Sequence, residues 1–400
     1  MTTTDSAVQG WTAKGFEAVR DAFAGNFANG LEVGAAFSAY HRGQKVADLW
    51  GGVADQESGR PWAEDTMILV FSTTKGVTAM CANQLVQEGR LDVNAPVVQY
   101  WPEFGAAGKE QITVAQLLSH QSGLAWVEPA MPLEDALEWE NVVRALEHEA
   151  PHWEPGTKHG YHATTFGWLV GEVIRRVSGQ RIGEYLREHV AGPLDADFYI
   201  GLPEALEPRV ATLISMFPPG IDLDPNAPSA SEPNPVRDMI AQFMGPDTVL
   251  GKALASPGGA FRNPEVFNTR AVRAAEIPAA NGVGDARSIA RLYAACVGEV
   301  DGVRLLNPAQ LDDAITQRTT GPNTVLLDLD IQFGLGFMVR SSLIALGGPR
   351  SFGHFGLGGS MGWADPDAEL SFGYVMNRLD MGVAGDVRST NLVNACYAAI

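Results

Sequence analysis

The sequence predicts an α/β protein with an all-helical region: an antiparallel sheet flanked by helices and interrupted by a helical insertion. Two observations predict it. Strand-like runs fall near both ends of the chain, and helical patterns fill its middle, so the sheet is assembled from both termini around the insertion. The length of 400 residues adds a third, because it suits two domains, or one large domain carrying an insertion. The division read from these patterns is an α/β domain from residues 1–90 and 281–400, and a mainly helical domain from 91–280 that includes a Pro-rich, lid-like loop at 216–278. An active site would lie in the cleft between the two.

Residues 11–27 place Phe16, Val19, Phe23 and Phe27 at helical spacing, which predicts an amphipathic first helix. Strand-like runs at 33–40 and 45–50 follow, joined by Arg42-Gly43 as a hairpin. An apolar strand at 67–71 leads into a helix running to Gly89. Then come a helical 113–118, the loop Ser119-His120-Gln121-Ser122-Gly123-Leu124, and a helical 142–148 that ends at Pro151. Beyond the turn Trp153-Glu154-Pro155-Gly156-Thr157 lies a long amphipathic helix, 166–177, stopped by Ser178-Gly179. A helix at 182–190 closes on Gly192-Pro193. The irregular stretch 216–278 contains Pro218, Pro219, Gly220, Pro225, Pro228, Pro233 and Pro235; loops of that length in compact domains are lids or binding loops. Its Met239, Phe243, Met244, Phe261 and Phe267 form either an apolar wall or packing onto the body. A helix at 286–296, strands at 334–339, around His354 and at 370–377, and a last helix at 389–399 complete the chain.

Acidic residues outnumber basic ones 47 to 28, a formal charge of -19, which repels phosphate backbones and anionic lipid. Nucleic acid and membrane are not expected partners, and no apolar run reaches membrane-spanning length. The N-terminal Met1-Thr2-Thr3-Thr4-Asp5-Ser6 lacks the basic and apolar regions of a signal peptide. Three widely spaced cysteines, Cys81, Cys296 and Cys396, fit reduced, buried thiols. Together these predict a cytoplasmic protein.

Ser72-Thr73-Thr74-Lys75 carries the chemistry. Positions i and i+3 share a helix face, so the Lys75 amine can reach the Ser72 hydroxyl and make it a nucleophile with a built-in proton acceptor. With 18 serines and six lysines, about 0.3 chance Ser-x-x-Lys matches are expected, so context has to decide. Ser72 follows an apolar strand and opens a helix, where free backbone N–H groups stabilise an anion. The helix dipole and burial both lower the Lys75 pKa. The competing reading is a helix cap followed by a surface lysine.

Two other motifs fail on order or geometry. Gly358-Gly359-Ser360-Met361-Gly362 fits a nucleophile elbow, but that triad runs Ser, acid, His, and the last histidine, His354, precedes Ser360. A Gly-rich turn between strands is the alternative. His148-Glu149-Ala150-Pro151-His152 spells H-E-x-x-H, whose zinc chemistry needs a continuous helix; Pro151 breaks it. No metal is expected.

Ser72-Thr73-Thr74-Lys75, the run 117–124, Glu154-Pro155-Gly156-Thr157 with Tyr161 and Phe166-Gly167, and His354-Phe355-Gly356-Leu357-Gly358-Gly359-Ser360 occur in the order and spacing of the serine β-lactamase and penicillin-binding-protein superfamily. The chain most resembles its class C-like branch, the family VIII carboxylesterases, over residues 30–377. The resemblance implies a β-lactamase/transpeptidase-like fold and a covalent acyl-enzyme mechanism without cofactor. By it, Ser72 is the nucleophile, and Lys75 and Tyr161 share the general-base work, Tyr161 as phenolate or proton relay. The backbone N–H groups of Ser72 and Leu357 form the oxyanion hole. His354, Phe355 and Gly356 lie in the substrate-binding motif, and Trp126, Trp153 and Trp363 either line an acyl pocket or pack in the core.

Two departures bear on substrate. The superfamily's Tyr-x-Asn is here Tyr161-His162-Ala163, and its Lys-Thr-Gly is His354-Phe355-Gly356, so the carboxamide, cation and hydroxyl that hold a β-lactam are missing. Small neutral carboxylic esters are the expected substrates. An acyltransferase, an amide hydrolase and a weak β-lactamase are the enzymic alternatives, and a non-catalytic binding protein of this fold stands in a different class.

Overall fold

The computed structural model describes residues 8–217, 221, 234–382 and 385–400. Among these, nine strands form one antiparallel sheet in the order β1-β3-β2-β12-β11-β10-β9-β8, with β4 paired to β3. The first group is β1 (Val8–Thr12), β2 (Gly34–His41), β3 (Gln44–Asp55) and β4 (Arg60–Pro61). The second is β8 (Gln332–Phe333), β9 (Met338–Val339), β10 (Phe352–Phe355), β11 (Met361–Asp365) and β12 (Leu370–Met376). The two ends of the chain join where β2 pairs β12, with Phe37 opposite Tyr374 and Ala39 opposite Phe372.

β12 is buried along its whole length, as a strand covered on both faces must be. On one face, α11 (Ala286–Val297) lies so close that a Cβ at Gly373 would sit 2.0 Å from the Ala286 carbonyl oxygen. On the other, Phe372 meets Tyr397 of α13 (Val387–Tyr397) at 6.2 Å between ring centroids, and α13 packs against α1 (Glu17–Ala28).

α2 (Thr73–Gln87) runs between this sheet and the helical region, and its residues from Thr73 through Leu85 are all buried. A helix apolar or small all round its circumference belongs in a core. It packs on β10 and on α6 (Thr165–Ser178). The helical region also holds α3 (Val114–Leu118), α4 (Leu133–Ala136), α5 (Trp139–His148), α7 (Ile182–Tyr185), α8 (Pro235–Met244), α9 (Val249–Ala255) and α10 (Arg270–Ala274), and α12 (Pro308–Ile315) follows α11. A three-stranded patch, β5 (Ile68–Leu69), β7 (Val283–Gly284) and β6 (Phe198–Tyr199), supports the start of α2.

Three expectations change. The first helix begins at Glu17, and Trp11 belongs to β1, whose Gly10 at φ +92 lets the chain lie flat against Asp48 and Trp50. The expected single strand at 334–339 is the β8–β9 hairpin around a turn. The described part of 216–278 is largely helical, because Pro235 opens α8 behind the Asn234 cap and Pro264 opens a 3₁₀ turn behind Asn263. At the first helical position proline is a starter. Pro218, Pro219, Gly220, Pro225, Pro228 and Pro233 lie outside the described residues.

Candidate active site

Ser72 sits at the strand-to-helix turn. β5 ends at Leu69, and Phe71 adopts φ +45, a conformation unfavourable for a bulky side chain and typical of a constrained site. Thr74 Oγ1 donates to the Phe71 carbonyl and accepts the Gly282 N–H at 2.9 Å, pinning the turn. Ser72 is the N-cap of α2, yet its hydroxyl makes no capping bond, which leaves Oγ free for Lys75.

Lys75 Nζ lies 3.0 Å from Ser72 Oγ, 2.6 Å from the Ala163 carbonyl oxygen and 2.9 Å from that of Ala279. Protonated, its three N–H bonds fill these three contacts. Neutral, it has two N–H bonds, which the two carbonyls must take, and its lone pair then faces the Ser72 hydroxyl. Burial holds its pKa well below the ordinary lysine value, since desolvation disfavours the charged form. Ala163, the residue standing where the superfamily has Asn, thus contributes through its backbone.

The Tyr161 ring centroid stands 4.7 Å from Nζ. Burial pushes this phenol up, and the nearby Ser72 hydroxyl only partly opposes it. Of the two forms expected for Tyr161, the phenolate is therefore disfavoured and the neutral relay remains.

Burial disfavours the charged form of the histidines around this group. Burial and Lys75 push His354 down to about 3, and burial likewise pushes His162 to about 3. His354 donates Nδ1–H to its neighbour's carbonyl, that of Phe355, at 2.7 Å; it is fully buried and offers no cation to a substrate carboxylate.

The end of β10 lies directly on the turn before Ser72. A Cβ at Gly356 would sit 2.1 Å from Ser360 Oγ and 2.2 Å from the Val70 carbonyl oxygen, so glycine is required. Ser360 Oγ donates to that Val70 carbonyl at 2.8 Å and shares a hydrogen bond with Thr73 Oγ1 at 3.0 Å. The serine of the elbow-like motif is a structural tie. Leu357 follows, and among the described residues neither its amide nor that of Ser72 donates to a backbone carbonyl.

Two cavities meet at Ser72 and Leu357. One is walled by Phe71, Phe261, Phe267, Met244 and Leu254, with Arg262 also in its lining. The other is walled by Tyr161, Leu326, Met338, Phe355, Gly356 and Met381, and Met244 and Leu254 line both. Of the apolar wall expected from 216–278, Met244, Phe261 and Phe267 line the first cavity, whereas Met239 and Phe243 are exposed.

Trp363 is fully buried on β11 and packs against Phe355 at 5.1 Å, a core residue that lines neither cavity. Trp126 stacks on His152 at 3.7 Å and lines a separate polar cavity with Glu128, Lys252 and Arg262. α5 stops at His148; that imidazole bonds to the Arg144 carbonyl and His152 to the Trp126 carbonyl. Sequence spacing gave no signal for Leu326, Met338 or Met381, which reach the site from separate loops and strands.

The β-lactamase family profile matches residues 23–396. Esterase/beta-lactamase LipL of Mycobacterium tuberculosis is 37% identical over 369 residues, 91% of this chain and 81% of its own. A crystal structure of a family VIII carboxylesterase shares 38% identity at a TM-score of 0.86, covering 98% of this chain and 100% of that one. EstA from Arthrobacter nitroguajacolicus Rue61a shares 34% identity at a TM-score of 0.84, covering 98% of each chain.

Proposed function

Since this chain belongs to the β-lactamase family, we propose that it is a serine carboxylesterase that hydrolyses small neutral esters through an acyl-Ser72 intermediate. The observation that carries this reading is the Lys75 amine, 3.0 Å from Ser72 Oγ and held by two carbonyls in a fully buried site.

In the proposed reaction Lys75 takes the Ser72 hydroxyl proton as Oγ bonds to the ester carbonyl carbon. The N–H groups of Ser72 and Leu357 hold the oxyanion; one such donor is worth about 3 kcal/mol. Collapse breaks the carbon–alkoxide bond, and the alkoxide receives a proton from Lys75 through Tyr161. Water, deprotonated by the same pair, then releases the acid and restores Ser72. Tyr161 lines only one of the two cavities, and the leaving oxygen must face the proton relay. That cavity therefore takes the alcohol half, and the one walled by Phe71, Phe261 and Phe267 takes the acyl half.

Both walls are mainly apolar, which favours neutral esters over carboxylate-bearing β-lactams. The alcohol-side cavity also favours a second reading, transfer of the acyl group to an added alcohol in place of water; product analysis with methanol present separates the two. Cys81, Cys296 and Cys396 are buried and unpaired, which supports the cytoplasm as the compartment, to be checked by cell fractionation. The net charge of -19 argues against nucleic acid and anionic membrane as partners. Among the described residues no helix is long and apolar enough to cross a membrane.

The test is turnover of short-chain p-nitrophenyl esters by the wild type and Ser72→Ala. Loss of activity in the variant is expected, and retention of most of it would sink the assignment. A chromogenic cephalosporin run alongside reports any β-lactam hydrolysis.

A further inference from the structure

Three consecutive amides, at 160, 161 and 162, hold the catalytic tyrosine, and each is bonded from outside its own segment. The Gly160 N–H donates to the His120 carbonyl at 3.0 Å, and the His162 N–H to His120 Nδ1 at 3.1 Å. The Tyr161 N–H donates to Asn323 Oδ1 at 3.0 Å. That same oxygen accepts the N–H of Val325 at 3.2 Å and of Leu326 at 3.0 Å. Three donors converging on one atom fix the amide orientation. They leave Nδ2 buried without a partner among the described residues.

Leu326 is the residue of this turn that walls the alcohol-side cavity. The turn is held to the tyrosine segment a second time, where the Thr324 N–H and hydroxyl both donate to the His159 carbonyl. Contact there is close: a Cβ at Gly160 would lie 2.7 Å from Thr324 Oγ1 and 2.8 Å from Val325 Cγ2.

We infer that Asn323 is a positioning residue whose single oxygen sets both the Tyr161 phenol and the Leu326 wall, so that proton relay and choice of leaving alcohol are fixed by one side chain. The inference rests on the proposed esterase reading. Loss of that oxygen would leave three N–H donors without their acceptor at once, and buried donors cost most when left unpaired. The segment and the turn would then relax apart, misplacing the phenol and opening the wall.

The experiment compares Asn323→Ala, Asn323→Asp and Leu326→Ala with the wild type, using esters of one acid with small and bulky alcohols. Asn323→Ala should lower kcat about 10- to 100-fold, the scale of a misplaced catalytic group, with little change in KM and a flattened ratio between alcohols. Asn323→Asp keeps the accepting oxygen and adds a negative charge. It should restore the alcohol ratio and move the acidic limb of the kcat/KM profile upward in pH, because the charge favours protonated Lys75 and Tyr161. Leu326→Ala should flatten the ratio and leave the pH profile unmoved.

A folded Asn323→Ala with wild-type kcat and alcohol ratio, or an Asn323→Asp with an unmoved pH profile, would overturn the inference. Should Asn323→Ala fail to fold, Asn323→Asp decides alone. Turnover surviving in Ser72→Ala would instead overturn the esterase reading, so the two failures are distinct.

Discussion

Lys75 is the proposed base because, once neutral, its two N–H bonds are taken by the Ala163 and Ala279 carbonyls and its lone pair is left to the Ser72 hydroxyl. Ala163 and Ala279 accept and never donate, so among the described residues that Nζ contacts through hydrogen bonds, Ser72 is the one able to exchange a proton. Arginine at this position stays protonated at any working pH. Lys75→Arg should therefore lower kcat by about 10²- to 10⁴-fold, the usual contribution of a positioned base. The wild type should gain activity as pH rises through the lowered Lys75 pKa, because deprotonation creates the base; the arginine variant should show no such limb. Rate against pH for both proteins checks this. At this scale the sequence was informative wherever chemistry follows from local spacing, as for Ser72 and Lys75. It also pointed to a lowered Lys75 pKa, in the direction that burial gives, but left Tyr161 open between phenolate and relay, and burial disfavours the phenolate.

Among the elements, the β10–β11 turn carries Leu357, which lines the same cavities as Ser72 and is the proposed second oxyanion donor. Ser360 ties it down through Val70 and Thr73. Ser360→Ala should destabilise the fold by about 1–3 kcal/mol, the cost of leaving a buried acceptor unmet, while most esterase activity persists. Thermal unfolding and ester turnover on one preparation test both halves.

The α11 cap makes a second point. Asp285 accepts the Ser288 N–H at 2.7 Å, yet burial raises its carboxyl from 3.8 to about 6. A folded pKa above the unfolded one means that its stabilisation is complete below pH 3.8 and is lost as pH rises through about 6. Asparagine caps equally well and does not titrate. Asp285→Asn should thus gain stability relative to the wild type at pH 8 compared with pH 4, measured by urea unfolding at each pH. Element boundaries were legible where caps or periodicity spoke, as for α2, α6 and α11. They were missed where proline starts a helix, at Pro235, and where a short edge strand, β1, is defined only by its partner β3.

Over the whole molecule, the joining of both chain ends into one sheet could be read from where the strand patterns fall. The composition of the site could not. Leu326, Met338 and Met381 come to Ser72 across more than 250 residues of sequence, and Asn323 acts through three backbone amides that no spacing rule records. Such positions are set by register and packing, which a single sequence does not display.

Acyl transfer is proposed to run through Ser72. Its most direct test is to quench the wild type in acid during turnover of a panel of neutral esters and β-lactams, measure intact mass, and map any adduct by peptide. An added acyl group is expected on the peptide containing Ser72, formed from esters far more readily than from β-lactams, and absent in Ser72→Ala. An adduct on the Ser360 peptide, or turnover of esters by Ser72→Ala, would contradict it.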